Sequence, residues 1–205
     1  MRHARNPPGF TLIELLIVVA IIAVLAAIAV PNFLEAQVRA KVGRCKSDMR
    51  SMATALEAYS TDWNYYPPYG RLDRSGGFQY PARQNDMNDK MSFVGPPITT
   101  PVAYLTTVPA DPFATQLQGP PVIRLVEYLN LDQHVGNFSA PPPPFAPKLI
   151  PAWGSWRMVA AGPDQDRGLD IKQNIVYDPT NGTVSDGDIV RCQRYPESGI
   201  NPAAP

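Results

Sequence analysis

The first hydrophobic segment of the chain is an apolar run at residues 10–30, and it contains one carboxylate, Glu14. At ~1.5 Å of rise per residue, a helix of this length spans roughly the ~30 Å hydrocarbon core of a bilayer. Ahead of it, residues 1–9 carry Arg2, His3 and Arg5 and no acid, a pattern that keeps an N-terminus on the cytoplasmic side. The run predicts a membrane-spanning helix. Because an ionisable group inside a membrane segment is costly, Glu14 is predicted to be functional.

A second helical pattern starts at residue 38, where apolar positions alternate at spacings of four and three. We expect this amphipathic helix to continue to about Thr61, because Asn64 and Pro67 break the pattern. Its charged face lies just past the apolar run and is mainly cationic. The apolar stripe, which we expect to pack under a sheet, consists of Val38, Val42, Cys45, Met49, Met52, Leu56 and Tyr59.

Pro31 lies between these two helical patterns. Proline removes a helical N–H and clashes with the carbonyl four residues back, so it kinks or locally unwinds a helix. The alternative is that the first helix stops there, at the membrane boundary. Since the pattern beyond Pro31 is again helical, the sequence favours one long helix over residues 10–62.

The remainder of the chain, residues 63–205, is predicted to form a small domain rich in loops. The whole chain holds 24 prolines and 14 glycines, well above average usage for proline. An Asn181-Gly182 pair predicts a tight hairpin turn, because both residues accept positive φ. The fold class is therefore α+β, with the long helix packed on a small antiparallel sheet. The expected strands are residues 156–161, 174–177 and 187–194.

The rest of this domain is less regular in pattern. Residues 67–97 are expected to be irregular, and residues 100–113 to hold a short helical turn before Asp111. Residues 122–131 fit either a strand or a helix. Residues 141–144, four consecutive prolines, predict a rigid connector, with a ligand for an aromatic groove as the alternative.

Composition argues against several functional classes. Basic and acidic residues are equal at 18 each, so nothing suggests a nucleic-acid partner. The two histidines, His3 and His134, are isolated, and no nucleophile, phosphate-loop or zinc motif is present, so no enzyme is expected. Cys45 and Cys192 form no CxxC pair. Whether they form a disulfide in an exported domain is left open by the sequence. The aromatic residues at 63–69 are predicted to pack the start of the domain rather than to stack on a ligand.

The hexapeptide at residues 9–14, Gly-Phe-Thr-Leu-Ile-Glu, resembles the processing site of type IV pilins and type II secretion pseudopilins. The resemblance implies that a prepilin peptidase cleaves after Gly9 and methylates the new N-terminus at Phe10. It also implies that Glu14 acts in filament assembly and that Pro31 permits local unwinding. A plain signal anchor would explain the apolar run, but not the glycine, the carboxylate and the short leader together.

A second resemblance is to the G-type major pseudopilins. Tyr66-Pro67 after the helix and Pro-Ala-Asp-Pro-Phe at residues 109–113 are similar to elements of that group. Such pseudopilins carry calcium in an aspartate- and glycine-rich loop, which implies a tentative calcium site here. Its ligands would include Asp164, Asp166 and Asp170, although surface turns use the same residues.

These resemblances imply four regions: a leader at 1–9, a filament-core helix at 10–30, its amphipathic continuation at 31–62, and a periplasmic domain at 63–205. The expected function is a structural subunit of a type II secretion pseudopilus. The expected partners are further copies in a helical filament, the peptidase, an inner-membrane assembly platform and minor pseudopilins. The alternatives are a type IV pilin in adhesion, motility or DNA uptake, and a membrane-tethered periplasmic binding domain.

Overall fold

The computed structural model describes residues 10–72, 78–79, 93–114, 125–136, 142, 144, 146–165, 177–178, 180 and 187–195. Residues 1–37 and residues 38–205 form two compact units. The predicted leader, residues 1–9, lies outside the described residues.

One helix, α1, runs from Leu12 to Trp63 over 52 residues. Pro31 lies inside α1, so the helix does not stop at the end of the apolar run. At its far end Asn64 adopts φ 61° and its N–H donates to the Ser60 carbonyl at 2.9 Å. A left-handed residue just past the last turn is a common helix ending. The prediction of one long helix ending near residue 61 is thus confirmed.

In the first unit, the apolar side chains of α1 are exposed, with Leu12 at 82% and Leu25 at 62%. α1 is long and apolar enough to cross a membrane. A bilayer would provide the apolar surroundings that such a surface requires.

In the second unit, the apolar stripe of α1 forms part of the core. Val38 is partly buried, and every other stripe residue is buried, including Met52 and Leu56 with no exposed surface. The stripe packs in one cluster with residues of the sheets, so the predicted role of the stripe is confirmed.

Two small antiparallel sheets contribute to this core. The first has the order β2-β1-β3 and the second the order β4-β5-β6. In the second sheet Met158 of β5 lies opposite Tyr128 of β4 and Arg191 of β6. All five residues of β5 are buried, as expected for the central strand. The strands are Tyr69–Leu72 (β1), Phe78–Gln79 (β2), Phe93–Val94 (β3), Glu127–Asn130 (β4), Trp156–Ala160 (β5) and Ile189–Cys192 (β6).

Two short helices complete the described part of the domain: α2, Leu131–Gly136, and α3, Ala146–Trp153. Asn130 ends β4 and begins α2, because its Oδ1 accepts the Gln133 N–H at 3.0 Å. Its Nδ2 donates to the carbonyls of Tyr66 and Pro67, each at 3.1 Å. The Tyr-Pro element after α1 is therefore fixed to the second sheet by hydrogen bonds.

Glu57 connects α1 to the same region. Its Oε1 accepts the Trp156 Nε1–H at 2.9 Å, and its Oε2 accepts the Tyr66 hydroxyl at 2.8 Å. Hydrogen bonds to a charged acceptor are stronger than neutral ones. This carboxylate therefore joins the helix, the central strand and the segment after the helix.

The structure corrects three details of the sequence prediction. The expectation that residues 67–97 are irregular is wrong in part, since β1, β2, β3 and a 3-10 turn at Pro96–Ile98 lie there. The expected helical turn within residues 100–113 is absent; these residues form bends, as their prolines lack the N–H that a helix needs. Helix α3 was not predicted. It buries Ala146, Leu149 and Trp153 on one face although it contains two prolines.

Two of the predicted strands are confirmed as β5 and β6, and the ambiguous segment at 122–131 contains β4 followed by the start of α2. Residues 174–176 and the Asn181-Gly182 turn lie outside the described residues.

Candidate assembly and processing site

The first turn of α1 is held by a capping box made of Thr11 and Glu14. The Thr11 N–H and hydroxyl both donate to Glu14 Oε2, at 2.9 and 2.7 Å. In return the Glu14 N–H donates to Thr11 Oγ1 at 3.3 Å, and the Leu15 N–H donates to the Thr11 carbonyl at 3.2 Å. This reciprocal arrangement satisfies N–H groups that the start of a helix leaves without partners.

Glu14, the carboxylate that the sequence predicts to be functional, thus has a partner, Thr11, within the same chain. This capping box could have been predicted from the sequence, since Thr-x-x-Glu ahead of an apolar run is its usual pattern. Both hydrogen bonds end on Oε2. Among the described residues, Oε1 of Glu14 makes no hydrogen bond, so the carboxylate keeps acceptor capacity for a second donor.

Phe10, the residue expected to become the N-terminus, lies just before this turn and is 72% exposed. Gly9, on the other side of the expected cleavage site, lies outside the described residues. The chemistry needs access by a peptidase to the bond between them and a donor able to reach Glu14. Cleavage after Gly9, methylation of Phe10 and the role of Glu14 in assembly therefore stay predictions.

In the globular unit, Asp111 is the centre of a second polar arrangement. Its carboxylate is 3% exposed; Oδ1 accepts the Phe113 N–H at 2.9 Å and Oδ2 accepts the Ala161 N–H at 2.8 Å. The Val126 N–H donates to the Pro109 carbonyl at 3.2 Å. The Pro-Ala-Asp-Pro-Phe element is thereby tied to the end of β5, where the aspartate-rich loop begins.

The loop after β5 turns tightly. A Cβ at Gly162 would lie 1.9 Å from the Gly187 carbonyl oxygen, so only glycine fits this close approach. The Gln165 N–H donates to the Gly162 carbonyl at 3.0 Å, and Asp164 is exposed. Asp166 and Asp170 lie outside the described residues. The calcium site therefore stays a prediction; within the described ranges no group of three acidic, histidine or cysteine side chains is placed to hold a metal ion.

Cys45 and Cys192 are both buried, and the structure has them as two thiols with no disulfide between them. Cys192 is engaged locally: its sulfur accepts the Tyr195 N–H at 3.2 Å. Burial raises the pKa of the Cys192 thiol, which favours its neutral form. Whether Cys45 and Cys192 form a disulfide after export stays open.

His134 lies in the core of the globular unit at 8% exposure. Its Nδ1 lies 3.3 Å from the Tyr69 hydroxyl. Burial, with a smaller contribution from the positive charge of Arg157, lowers the pKa of His134 from 6.5 to about 4. The imidazole is therefore neutral in the folded protein at pH 7.

The lowered pKa of His134 predicts a loss of stability in mild acid. Between pH 6.5 and about 4 the unfolded chain binds a proton that the folded chain does not, so the free energy of unfolding falls as the pH falls. The full loss amounts to about 3 kcal/mol. Urea unfolding of the full chain in detergent, at pH 7 and pH 4.5, measures it. In a His134→Gln variant the difference between the two pH values should shrink by most of this amount; an unchanged difference would contradict the assignment.

Comparison with known proteins gives three related findings. A model of the prokaryotic N-terminal methylation motif matches residues 5–30. The type II secretion system core protein G of Pseudomonas aeruginosa is 31% identical over 121 residues, covering 56% of this chain and 73% of that protein. The type IV major pilin protein PilA of Myxococcus xanthus is 44% identical over 72 residues, covering 34% of this chain and 33% of that protein. No solved structure matches.

A membrane-length helix with a methylation motif, continuing into a small antiparallel sheet, defines the class of pilin-like subunits. The chain belongs to the pilin and pseudopilin family that includes the type II secretion core protein G. It spans about a third of the length of the Myxococcus pilin and nearly three quarters of the Pseudomonas core protein. Membership makes it a membrane-anchored protein of a structural family.

Proposed function

We propose that this chain is a structural subunit of a type II secretion pseudopilus. The observation that carries the proposal is the length of the match to the Pseudomonas core protein G. Its 121 aligned residues exceed the 52 residues of α1, so the similarity must include part of the globular domain. The 72 residues aligned with the Myxococcus pilin would be accounted for by little more than the N-terminal segment.

In this proposal the precursor sits in the inner membrane with its leader in the cytoplasm and its domain in the periplasm. A prepilin peptidase cleaves after Gly9 and the new N-terminus at Phe10 is methylated. Subunits then pack their apolar helices against one another, with the assembly platform and minor pseudopilins as further partners. The work is mechanical support of protein export, and no enzymatic activity is part of it.

Glu14 has the central role in assembly. Cleavage creates an ammonium at Phe10, and in the dry filament core the Glu14 carboxylate pairs with this ammonium on the same or an adjacent copy. A buried charge left without its partner is strongly unfavourable, so the pair selects one axial register among several that apolar packing alone would permit.

Intact-mass analysis of the protein purified from membranes of its native host tests the processing step. We expect the mass of a chain that begins at N-methylated Phe10. A Gly9→Val variant, which changes only the residue before the cleavage site, should not be processed and should show the mass of its own uncleaved chain. A wild-type chain that begins at Met1 would contradict the filament pathway and favour a membrane-tethered domain.

A type IV pilin is the second candidate, and the 44% identity to the Myxococcus pilin favours it specifically. Deleting the gene in the native host separates the two. Loss of exported proteins from the medium with motility retained supports the pseudopilus; loss of surface motility with export retained supports the pilus.

A further inference from the structure

The part of α1 that follows the apolar run carries four basic side chains, which we call the basic collar and define as Arg39, Lys41, Arg44 and Lys46. No acidic residue lies between them in the sequence. Arg39, Lys41 and Arg44 are exposed, and Lys46 is partly exposed. From the first to the last, the collar covers about 10 Å of helix, close to the Debye length of about 10 Å at 0.1 M salt. It therefore acts on its surroundings as one concentrated positive charge.

The collar side chains lie on two sides of α1. Arg39 and Lys46 are seven residues apart and fall on one side of the helix, whereas Lys41 and Arg44, three residues apart, fall on another. The strip between the two sides that is exposed holds small residues, namely Ala40, Gly43 and Ser47. A partner that docks on one face would meet one pair of cations, but a charged layer that surrounds the helix would meet both pairs.

The positive charge of α1 is concentrated at the end nearest the apolar run. Beyond Arg50, the helix carries Glu57 and Asp62 and no basic residue. Within the collar, the Arg44 Nε lies 3.7 Å from Asp48 Oδ2, while 79% of the Arg44 side chain is exposed. Because an exposed ion pair of this kind is weak, Arg44 can still contact an anionic group in its surroundings.

The place of the collar along the chain brings it close to the bilayer. Large apolar side chains of α1 are exposed as far as Leu34, at 53%, and Arg39 follows five residues later in the same helix. For a membrane-anchored protein, the first chemical layer beyond the hydrocarbon core is that of the lipid headgroups. Long Arg and Lys side chains are suited to this layer, because they hold the charge in a polar region while the stem lies along apolar surface.

We propose that the basic collar binds the anionic phospholipid headgroups that surround α1 at the membrane surface. Basic clusters beside a membrane helix attract anionic lipids, and each Lys or Arg near the surface strengthens the attraction about fivefold. The proposal concerns the subunit in the bilayer and holds for a pseudopilin and a pilin alike. Its failure would therefore leave the proposed function unchanged.

Lipid selectivity of the full chain, reconstituted in phosphatidylcholine vesicles, tests the proposal. Electron paramagnetic resonance measures the fraction of a trace spin-labelled lipid that the protein immobilises, for phosphatidylglycerol and for phosphatidylcholine. We expect phosphatidylglycerol to be enriched about fivefold at the wild-type protein and about twofold or less at an Arg39→Gln/Arg44→Gln variant. Lys148→Gln/Arg194→Gln removes two exposed cations elsewhere and should behave like the wild type. Arg39→Lys/Arg44→Lys, which keeps both charges, should also keep the enrichment.

A salt series on the wild type tests the same contact without any substitution. Raising the salt from 0.1 to 1 M shortens the Debye length from about 10 to about 3 Å, so the enrichment should fall towards one. No enrichment by the wild type, no effect of salt, or equal enrichment in the wild type and the Arg39→Gln/Arg44→Gln variant would each overturn the proposal. If the collar instead contacts a second copy of this chain, that variant should give fewer crosslinked dimers in the vesicles with unchanged lipid selectivity, which also overturns it.

Discussion

Glu14→Ala should abolish filament assembly while the protein still inserts into the membrane. In the proposed filament, the substitution removes the carboxylate and leaves the Phe10 ammonium of the processed subunit unpaired in an apolar core, where an uncompensated charge is strongly unfavourable. We expect the yield of sheared filaments, measured by immunoblot and electron microscopy, to fall by about two orders of magnitude. The amount of subunit in the membrane fraction should stay near that of the wild type.

Thr11→Val is the control that separates the two roles of this carboxylate. It removes the two hydrogen bonds that the Thr11 hydroxyl makes in the capping box, but it keeps the backbone hydrogen bond to Glu14 and the charge at position 14. Losing a cap destabilises one helix end modestly, so this variant should still assemble. Equal assembly defects in the two variants would show that Glu14 acts only as a helix cap.

Asp111→Ala should destabilise the globular unit by about 3 kcal/mol, the second large effect that we expect. The variant leaves the N–H groups of Phe113 and Ala161 without their acceptor in a buried site, and each unsatisfied group costs about 1–3 kcal/mol. The measurement is urea unfolding of the full chain in detergent, followed by near-ultraviolet circular dichroism, which reports tertiary packing.

Asp178→Ala provides the matched comparison. Asp178 also accepts two hydrogen bonds, from the Thr180 N–H at 2.8 Å and the Thr180 hydroxyl at 2.7 Å, but it is exposed. Water replaces the lost acceptor there, so its unfolding midpoint should move far less. Similar shifts in both variants would mean that burial does not determine how much the Asp111 carboxylate contributes to the free energy of unfolding.

The long helix could be predicted from the sequence because every local signal agrees along it. The apolar run, the spacing of residues such as Met52 and Leu56, and the helix-breaking residues after Trp63 all describe one element. β5 and β6 were also predictable, since both are short, mainly apolar segments bounded by turn residues. The candidate site at residues 9–14 was recognisable for a different reason: a charge inside an apolar run is rare enough to require an explanation.

The parts that could not be predicted depend on tertiary contacts. β1 is held by pairing with β2 and β3 rather than by its own pattern, and its sequence Tyr-Gly-Arg-Leu shows no alternation. Helix α3 forms although it contains Pro151, because burial of Leu149 and Trp153 outweighs the unfavourable helix propensity. Asp111 looked like part of a stop signal, and only the structure shows that its carboxylate joins two distant segments.

The capping box at the start of α1 has a consequence for the order of events in the membrane. Before cleavage, Thr11 supplies the carboxylate of Glu14 with two neutral donors, which satisfy its oxygen without cancelling its charge. In the proposed pathway, cleavage creates a cation one residue before Thr11, and a charge-assisted hydrogen bond is roughly twice as strong as a neutral one. On that proposal, exchange of the Thr11 donors for an ammonium becomes favourable only after cleavage. The capping box would then hold the Glu14 carboxylate in the uncut precursor, and proteolysis would release it for subunit pairing.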